Sequence, residues 1–507
     1  MDIKKLRKSI DDIDEMMCAL FIKRMETAAD IAKFKTENSL PVTSESRENE
    51  VLERVTALVG KEFAPYAKEL YEAMFDASKK YQAEIMAKDQ RASKLENIEY
   101  GLVGGRLSHS YSPEIHACLG DYSYQLIELE ENEVRNFFKE KKFKAVNVTI
   151  PYKKIAFECC DVVSDDTARS IGSVNTVVVS KSGRLHGYNT DLYGFEYMLR
   201  SANISPYGKK CIVLGSGGAS VTAVAVLRKM GTSSVTVISR TGSSNYENLH
   251  LHYDAEIIVN TTPVGMYPEN GKSVIELAKF KNCTGVVDMI YNPEKTKLIL
   301  DAERLSIPFV SGLPMLVAQA KAANERFFGR PLDDSVTEKV IKQISSEKKN
   351  ITLIGMPGCG KSTIGMLISR MTGREVTDTD ELIEKSTGRS PADIIKEDGE
   401  NAFRKIESGV LADVSKESGK IIACGGGIVT VPSNIDLLRQ NSTVFFINRD
   451  INDLDTKGRP LSSGGALPGL YATRLPLYRK ACDNEIKFES SYQCASDIIR
   501  LAGLEKN

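Results

Sequence analysis

Apolar residues in the first stretch of the chain recur every three or four positions, at Leu6, Ile10, Ile13, Met17, Leu20, Ala28 and Ile31. That spacing predicts one amphipathic helix of about 30 residues, about 45 Å long. After a break at Pro41 the pattern resumes over 45–59 and again over 66–87, where Leu70, Met74 and Ile85 form a stripe, so three helices are expected. Then the rhythm changes. Short apolar runs at 100–104, 211–214, 235–239 and 351–354 alternate with helical stretches and glycine-rich turns, as the strands of α/β units do. The polar stretch 89–97 reads as a linker and the charged stretch 332–349 as a helical one. The expected fold is multidomain: an all-α N-terminal helical module over 1–92, then two α/β units over 98–331 and 350–507.

Two of the strand–turn–helix junctions carry phosphate chemistry. In KKCIVLGSGGASVTAVAVLRKMG, Gly215 takes a tight turn, Gly217 and Gly218 let a pyrophosphate approach the backbone, and the helix opening at Ala219 turns its free N–H groups toward it. At the end of the next strand a carboxylate usually holds the ribose 2′-hydroxyl of NAD, but here Ser239, Arg240 and Thr241 stand instead. A guanidinium in that place suits the 2′-phosphate of NADP. The second junction, ITLIGMPGCGKSTIG, is a P-loop running from Gly355 to Ser362. Backbone N–H groups around Gly358 and Gly360 cradle phosphates, Lys361 reaches the β- and γ-phosphates of ATP, Ser362 ligates Mg²⁺, and Thr363 follows at the helix start.

Composition narrows the class. The chain has 507 residues, 42% apolar content and a net charge of −1, too long for one core and without the basic surplus that nucleic acid or an anionic membrane asks for. Small-molecule substrates are expected instead. Ten cysteines occur with no CxxC pair and no metal spacing to the five histidines, which reads as reduced thiols in the cytoplasm. The charged, interrupted N-terminus MDIKKLRKSIDDIDEMM has neither a signal-peptide core nor a membrane span. No internal repeat is evident.

Arg24 and Lys35 fall on the apolar track of the first helix, eleven residues apart, about three turns and within about 20° of one face. Both are placed to grip one small dianion, whereas Arg7 points elsewhere. The alternative is an oligomerisation module with surface charges. The pattern LRKSIDDID, Arg24, Lys35, Arg47 with Glu48, and Ser78 with Gln82 closely resembles the all-helical chorismate mutases. The resemblance implies a rearrangement of chorismate to prephenate in a site lined by Arg7, Arg24, Lys35, Arg47, Glu48 and Gln82, within a homodimer built through the N-terminal helices. One departure is Ser44, where the family often has aspartate.

Further on, Ser110 and Ser112 precede Pro113 and can either cap a helix or bind a ligand. Polar runs near apolar strands, NVTIPYK, GSVNT and GYNTD, are expected to close successive strands and so gather Lys153, Asn175 and Asp191 at the carboxyl edge of a sheet. With NTTPVGM, DMIYNP and GLPMLVAQA, the stretch from Tyr100 to about Gly329 strongly resembles shikimate dehydrogenase. The resemblance implies a substrate part over 98–205 and 310–331 and an NADP-binding Rossmann part over 206–309. It implies hydride transfer to 3-dehydroshikimate, with Lys153 and Asp191 handling the alkoxide proton, Ser110, Ser112 and Tyr291 holding the carboxylate, and Thr149, Asn175 and Gln319 holding ring hydroxyls. Quinate in place of shikimate stays open.

After the P-loop come DTD at 378–380, Phe403-Arg404 with Glu407, the glycines 425–427, GRPL at 458–461 and RLPLY at 474–478. Together they closely resemble shikimate kinase. The resemblance implies that Asp380 deprotonates the acceptor hydroxyl, Asp378 supports Mg²⁺, Arg404, Gly426, Gly427 and Arg474 hold shikimate, and Arg459 reaches the phosphates from a lid. The lid region is shorter and richer in glycine than the family's usual one. A basic residue that commonly packs on adenine is lost between Arg449 and Arg459. The whole chain thus reads as a trifunctional enzyme of aromatic amino-acid biosynthesis, the alternative being a dehydrogenase–kinase whose N-terminal module dimerises or senses chorismate or prephenate without turnover. A pure nucleotide sensor has no use for the proton-transfer groups Lys153, Asp191 and Asp380.

Overall fold

The computed structural model describes residues 2–505 apart from 39, 42, 44, 96–97, 109 and 455–466, with the backbone alone at 37, 45 and 87–95. Contacts divide the chain into two compact units, residues 1–99 with 140–144, and residues 100–139 with 145–507.

In the first unit, helix α1 (Ile3–Glu37) starts at Asp2, whose carboxylate accepts from the Lys4 N–H at 3.0 Å. Helix α2 (Glu45–Leu95) is two helices end to end, broken at Gly60 with φ 76° and ψ 169° and carrying Pro65 just beyond. Glycine alone takes that backbone without strain, and the break falls where the sequence pattern places it. The linker expected over 89–97 is corrected by the structure, because α2 stays helical to Leu95. That stretch holds no glycine or proline, and its Gln90, Arg91, Ala92, Lys94 and Leu95 are residue types that propagate a helix once it is nucleated. Ala28, Ala32, Val55 and Phe75 are buried in this unit. Of the predicted stripe of α1 only Ala28 is buried, and Leu6, Ile10, Ile13, Met17, Leu20 and Ile31 remain exposed, Leu20 at 69%.

Among the described residues the second unit holds three sheets. The first comprises β1 (Tyr100–Gly104), β2 (Tyr124–Glu128), β3 (Ala145–Val148), β4 (Val162–Val163), β5 (Thr176–Val179) and β6 (Leu185–Tyr188), in the order β2-β1-β3-β5-β6-β4 with β5 antiparallel to both neighbours. The second comprises β7 (Lys210–Leu214), β8 (Ser234–Ile238), β9 (Ile257–Asn260), β10 (Gly285–Asp288) and β11 (Phe309–Val310), all parallel in the order β11-β10-β9-β7-β8. Strand order reverses at β7, which creates a crevice between the ends of β7 and β9. The third comprises β12 (Asn350–Ile354), β13 (Val376–Asp378), β14 (Ile421–Ala423), β15 (Ser442–Asn448) and β16 (Asn484–Lys487), parallel in the order β13-β14-β12-β15-β16. Their fully buried apolar runs suit parallel sheets covered on both faces.

The stretch expected to be a charged helical linker does form a helix, Asp334–Lys348, but it is packed rather than suspended. Val340 and Ile344 lie in one core with Ile115, Leu119, Leu313 and Val317. Its end runs directly into β12, and ion pairs Lys348–Glu114 at 2.6 Å and Lys349–Glu294 at 2.9 Å fix the junction. Beyond it, Arg304 pairs with Asp436, and the Lys295 N–H donates to the Gln440 carbonyl at 2.9 Å.

Candidate active sites

At one edge of the first sheet, Lys153 opens a short helix after β3 and Asp191 opens another after β6. The Lys153 ammonium lies 2.7 Å from the Asp191 carboxylate, with the two side chains 28% and 13% exposed. Asn175 joins them, although not as the sequence pattern suggests. It stands before β5 rather than after a strand, and reaches the same edge because β5 runs antiparallel to β3 and β6. Its side-chain oxygen accepts from the Thr190 N–H at 2.8 Å, and its amide donates to Thr190 Oγ1 at 3.0 Å and to Gln319 Oε1 at 3.5 Å. Gln319 comes from the helix Leu313–Phe328. That helix approaches closely because Gly194 has no side chain; a Cβ there would sit 2.7 Å from the Met315 carbonyl. Sequence reasoning missed Thr190, whose only signal is its place between Asn189 and Asp191.

Ser110 and Ser112 do not cap the helix Ser112–Leu119 in the manner weighed from sequence. Tyr111 is the cap residue and gives no side-chain bond, while Ser110 Oγ donates to Ser112 Oγ at 3.1 Å and accepts from its N–H at 3.2 Å. Tyr291 packs its ring 5.1 Å from that of Tyr111. Burial raises its phenol to about 12, so Tyr291 stays a neutral donor. Thr149 follows β3 on the same edge, its N–H donating to the Val103 carbonyl at 2.9 Å.

At the crevice of the second sheet, Gly215 has φ 101°, and a Cβ on it would meet Thr261 Oγ1 at 2.9 Å. Only glycine fits that close turn. Gly217 and Gly218 are different: nothing lies within 4 Å of a Cβ built on either. The protein itself does not need glycine there, whereas a phosphate lying against the backbone does. The helix Gly218–Lys229 begins at this point, and at the end of β8 Ser239 is buried while Arg240 and Thr241 are exposed.

The third sheet builds a cleft of about 630 Å³ whose wall includes both the P-loop and residues far from it in sequence. Lys361 is buried and donates to the carbonyls of Gly355 and Met356, each at 3.0 Å. Ser362 Oγ donates to Asp378 Oδ2 at 2.6 Å, and Asp378 Oδ1 caps the next helix by accepting from the Asp380 N–H at 2.9 Å. Facing these, Arg404 pairs with Glu407 at 2.7 Å and Glu400 at 2.8 Å. Glu407 is completely buried and its carboxyl is pushed up by burial, an effect that Arg404 partly offsets. Arg474 is buried and donates to the Gly426 carbonyl at 3.1 Å. A Cβ on Gly425 would lie 2.7 Å from both Asp380 Oδ1 and Glu407 Oε1, and one on Gly427 would collide with Arg404. Glu407 is the buried counter-ion of Arg404, a role that its place in the sequence pattern does not reveal. Arg459 lies outside the described residues.

In the first unit, Arg24 donates to the Ser78 hydroxyl and to the Met74 carbonyl at 3.4 Å, and the Lys35 ammonium lies 3.2 Å from Gln82 Oε1. Arg24 and Lys35 therefore meet the α2 residues named from sequence. Glu48 is held by Lys79 at 3.2 Å, a lysine the sequence reading passed over. Arg47 turns instead to Glu50 at 2.6 Å in an exposed pair, and Arg7 is exposed on α1. Ser44 lies outside the described residues.

Fold and sites together define a dinucleotide-dependent dehydrogenase fused to a P-loop kinase, preceded by a helical domain. Residues 6–83 match the family chorismate mutase type II, residues 102–177 the shikimate dehydrogenase substrate binding domain, and residues 357–501 shikimate kinase. The shikimate dehydrogenase (NADP(+)) of Clostridium beijerinckii is 34% identical over 270 residues, 49% of this chain and 99% of that protein. That of Clostridium perfringens is 33% identical over 266 residues, 48% of this chain and 97% of that one. A solved chorismate mutase/shikimate 5-dehydrogenase fusion protein from Clostridium acetobutylicum aligns with a TM-score of 0.47 and 31% identity, covering 49% of this chain and 97% of its own. The chain belongs to the shikimate dehydrogenase family, and carries a chorismate mutase domain and a shikimate kinase domain in addition.

Proposed function

We propose that the chain rearranges chorismate to prephenate, reduces 3-dehydroshikimate to shikimate with NADPH, and phosphorylates shikimate with ATP and Mg²⁺, its domains bounded as 1–92, 98–331 and 350–507. The observation that carries the reading is the Lys153–Asp191 pair at 2.7 Å on the edge where Asn175 and Gln319 converge. Bound NADPH supplies the hydride. Lys153 then donates the proton that the reduced ketone oxygen takes up, and Asp191 holds its ammonium in place. Ser110, Ser112 and Tyr291 hold the carboxylate, while Thr149, Asn175 and Gln319 hold the ring hydroxyls.

In the kinase cleft, bound ATP with Mg²⁺ supplies the phosphoryl group and neutralises its charge. The oxygens of Ser362 and Asp378, 2.6 Å apart, fit a hard cation that keeps most of its ligands as water and phosphate. Asp380 accepts the proton of the attacking hydroxyl, and Arg404 and Arg474 bind the acceptor. Lys361 exchanges the carbonyls of Gly355 and Met356 for phosphate oxygens. We place the enzyme in the cytoplasm as a homodimer. Supplying the full chain with 3-dehydroshikimate, NADPH, ATP and Mg²⁺ is expected to yield shikimate 3-phosphate by mass spectrometry, and no product in any combination refutes the reading.

A second reading is kept for the N-terminal domain, since Arg47 turns to Glu50 in an exposed pair and Arg7 is exposed on α1. A domain that binds chorismate without turnover leaves chorismate unconsumed by the full chain.

A further inference from the structure

One tyrosine of the dehydrogenase part bonds to a turn that belongs to the kinase part. The Tyr267 hydroxyl donates to the Ser415 carbonyl at 2.8 Å. Tyr111 is buried to 8% exposure. Tyr291 is held between these two: its ring lies 5.1 Å from the Tyr111 ring, and the carbonyl of the next residue, Asn292, accepts from the Tyr267 N–H at 3.3 Å. Ser415 is the C-cap of the kinase helix Glu400–Val414, and Ser418 sits in the turn that leads from that helix into β14.

The turn is itself rigid. Asn350, fully buried in β12, donates to the Glu417 carbonyl at 2.7 Å, and the Gly419 N–H donates to the Lys348 carbonyl at 2.9 Å. The Lys348 ammonium lies 4.7 Å from the centre of the Tyr111 ring and pairs with Glu114 in the helix that Ser112 opens. A hydrogen bond from a phenol to a rigid backbone carbonyl fixes ring orientation more tightly than packing does, because it is directional. The phenol at stake, Tyr267, is tied through Asn292 to the segment that carries Tyr291.

We infer that the kinase turn at Ser415 is a working part of the dehydrogenase, in which Tyr267 acts as a positioning residue that aims Tyr291 at the carboxylate of the substrate. The inference rests on the proposed carboxylate role of Tyr291. It assigns the dehydrogenase a wall that is not its own, and so a substrate affinity that depends on the kinase being folded beside it. The hydride donor binds elsewhere, in the crevice at Gly215, and is untouched by the turn.

The test uses the full chain with Tyr267→Phe, which removes one hydroxyl and no ring. Losing that bond is expected to raise KM for 3-dehydroshikimate about fivefold, with kcat, KM for NADPH and kinase turnover within about twofold of wild type. Unchanged KM overturns the inference while leaving the dehydrogenase assignment intact. Parallel loss of dehydrogenase and kinase turnover also overturns it, because the contact then only holds the fold together. A wild-type chain that does not reduce 3-dehydroshikimate refutes the assignment itself, and the inference with it.

Discussion

The Lys153 ammonium and the Asp191 carboxylate meet at 2.7 Å although 38 residues separate them, because each opens a helix at the same sheet edge. Replacing Lys153 by alanine is expected to lower dehydrogenase kcat by about 100-fold or more. NADPH affinity is expected to change little, since the Gly215 turn is on another sheet. Steady-state kinetics decide it, and near-normal kcat removes Lys153 from the chemistry.

Arg240 is exposed at the end of β8, beside the buried Ser239. A guanidinium there has a phosphate to bind only when the cofactor carries one. Arg240→Ala is therefore expected to raise KM for NADPH far more than KM for NADH. An equal rise for both cofactors contradicts the 2′-phosphate role.

For the kinase, Asp380→Asn is expected to abolish phosphoryl transfer while ATP still binds, and Lys361→Ala to impair nucleotide use as well. Chelating Mg²⁺ with EDTA is expected to stop the kinase and leave dehydrogenase turnover unchanged, because the Ser362–Asp378 pair lies only in the third sheet's cleft. Loss of dehydrogenase turnover in any of these experiments, with the protein folded, contradicts separate sites.

Local features of these sites were legible in the sequence. The P-loop and the Gly215 turn depend on residues adjacent in the chain, so strand, glycine and helix announce themselves together. Lys153, Asp191 and Asn175 were also grouped correctly, but the route by which Asn175 arrives was not, because strand direction depends on pairing between distant segments. The same limit explains the helix Asp334–Lys348, whose charges read as a tether while Val340 and Ile344 fill a core supplied by other elements. Ser415 looks like an ordinary polar residue after a helix. Only the tertiary fold sets its carbonyl against Tyr267.

Asp288 is fully buried at the end of β10 and accepts from Asn260 Nδ2 at 3.0 Å, the Ile290 N–H at 3.1 Å and Thr296 Oγ1 at 2.6 Å. Burial raises its carboxyl to about 6 despite those three donors. The folded state therefore holds a proton that the unfolded state has already released between about pH 4 and about pH 6, so this group's contribution to stability falls as pH rises through that window. Asp288→Asn lacks the titration. Relative to that variant, wild type is expected to lose stability between about pH 5 and about pH 8, seen by calorimetry as a shrinking lead in Tm. A pH-independent difference rules the buried charge out.

Arg24 and Lys35 face the α2 residues Ser78 and Gln82, whereas Arg7 stands seventeen residues before Arg24 on α1. That separation is about 25 Å along the helix and about 100° around it, too far for both arginines of one chain to hold one small substrate. The exposed stripe from Leu6 to Leu20 offers a surface for the same helix of a second chain, and a two-fold pairing lets Arg7 complete the partner's site. Arg7→Ala and Arg24→Ala homodimers are then both expected to be inactive as mutases. A mixed dimer has one site lacking both arginines and one site intact. Co-refolding the two inactive variants is expected to restore up to about a quarter of wild-type activity, because random mixing makes about half the dimers mixed, each with one good site. If the mixture stays inactive although a tagged pull-down shows that subunits exchange, Arg7 acts within its own chain or has no part in the reaction.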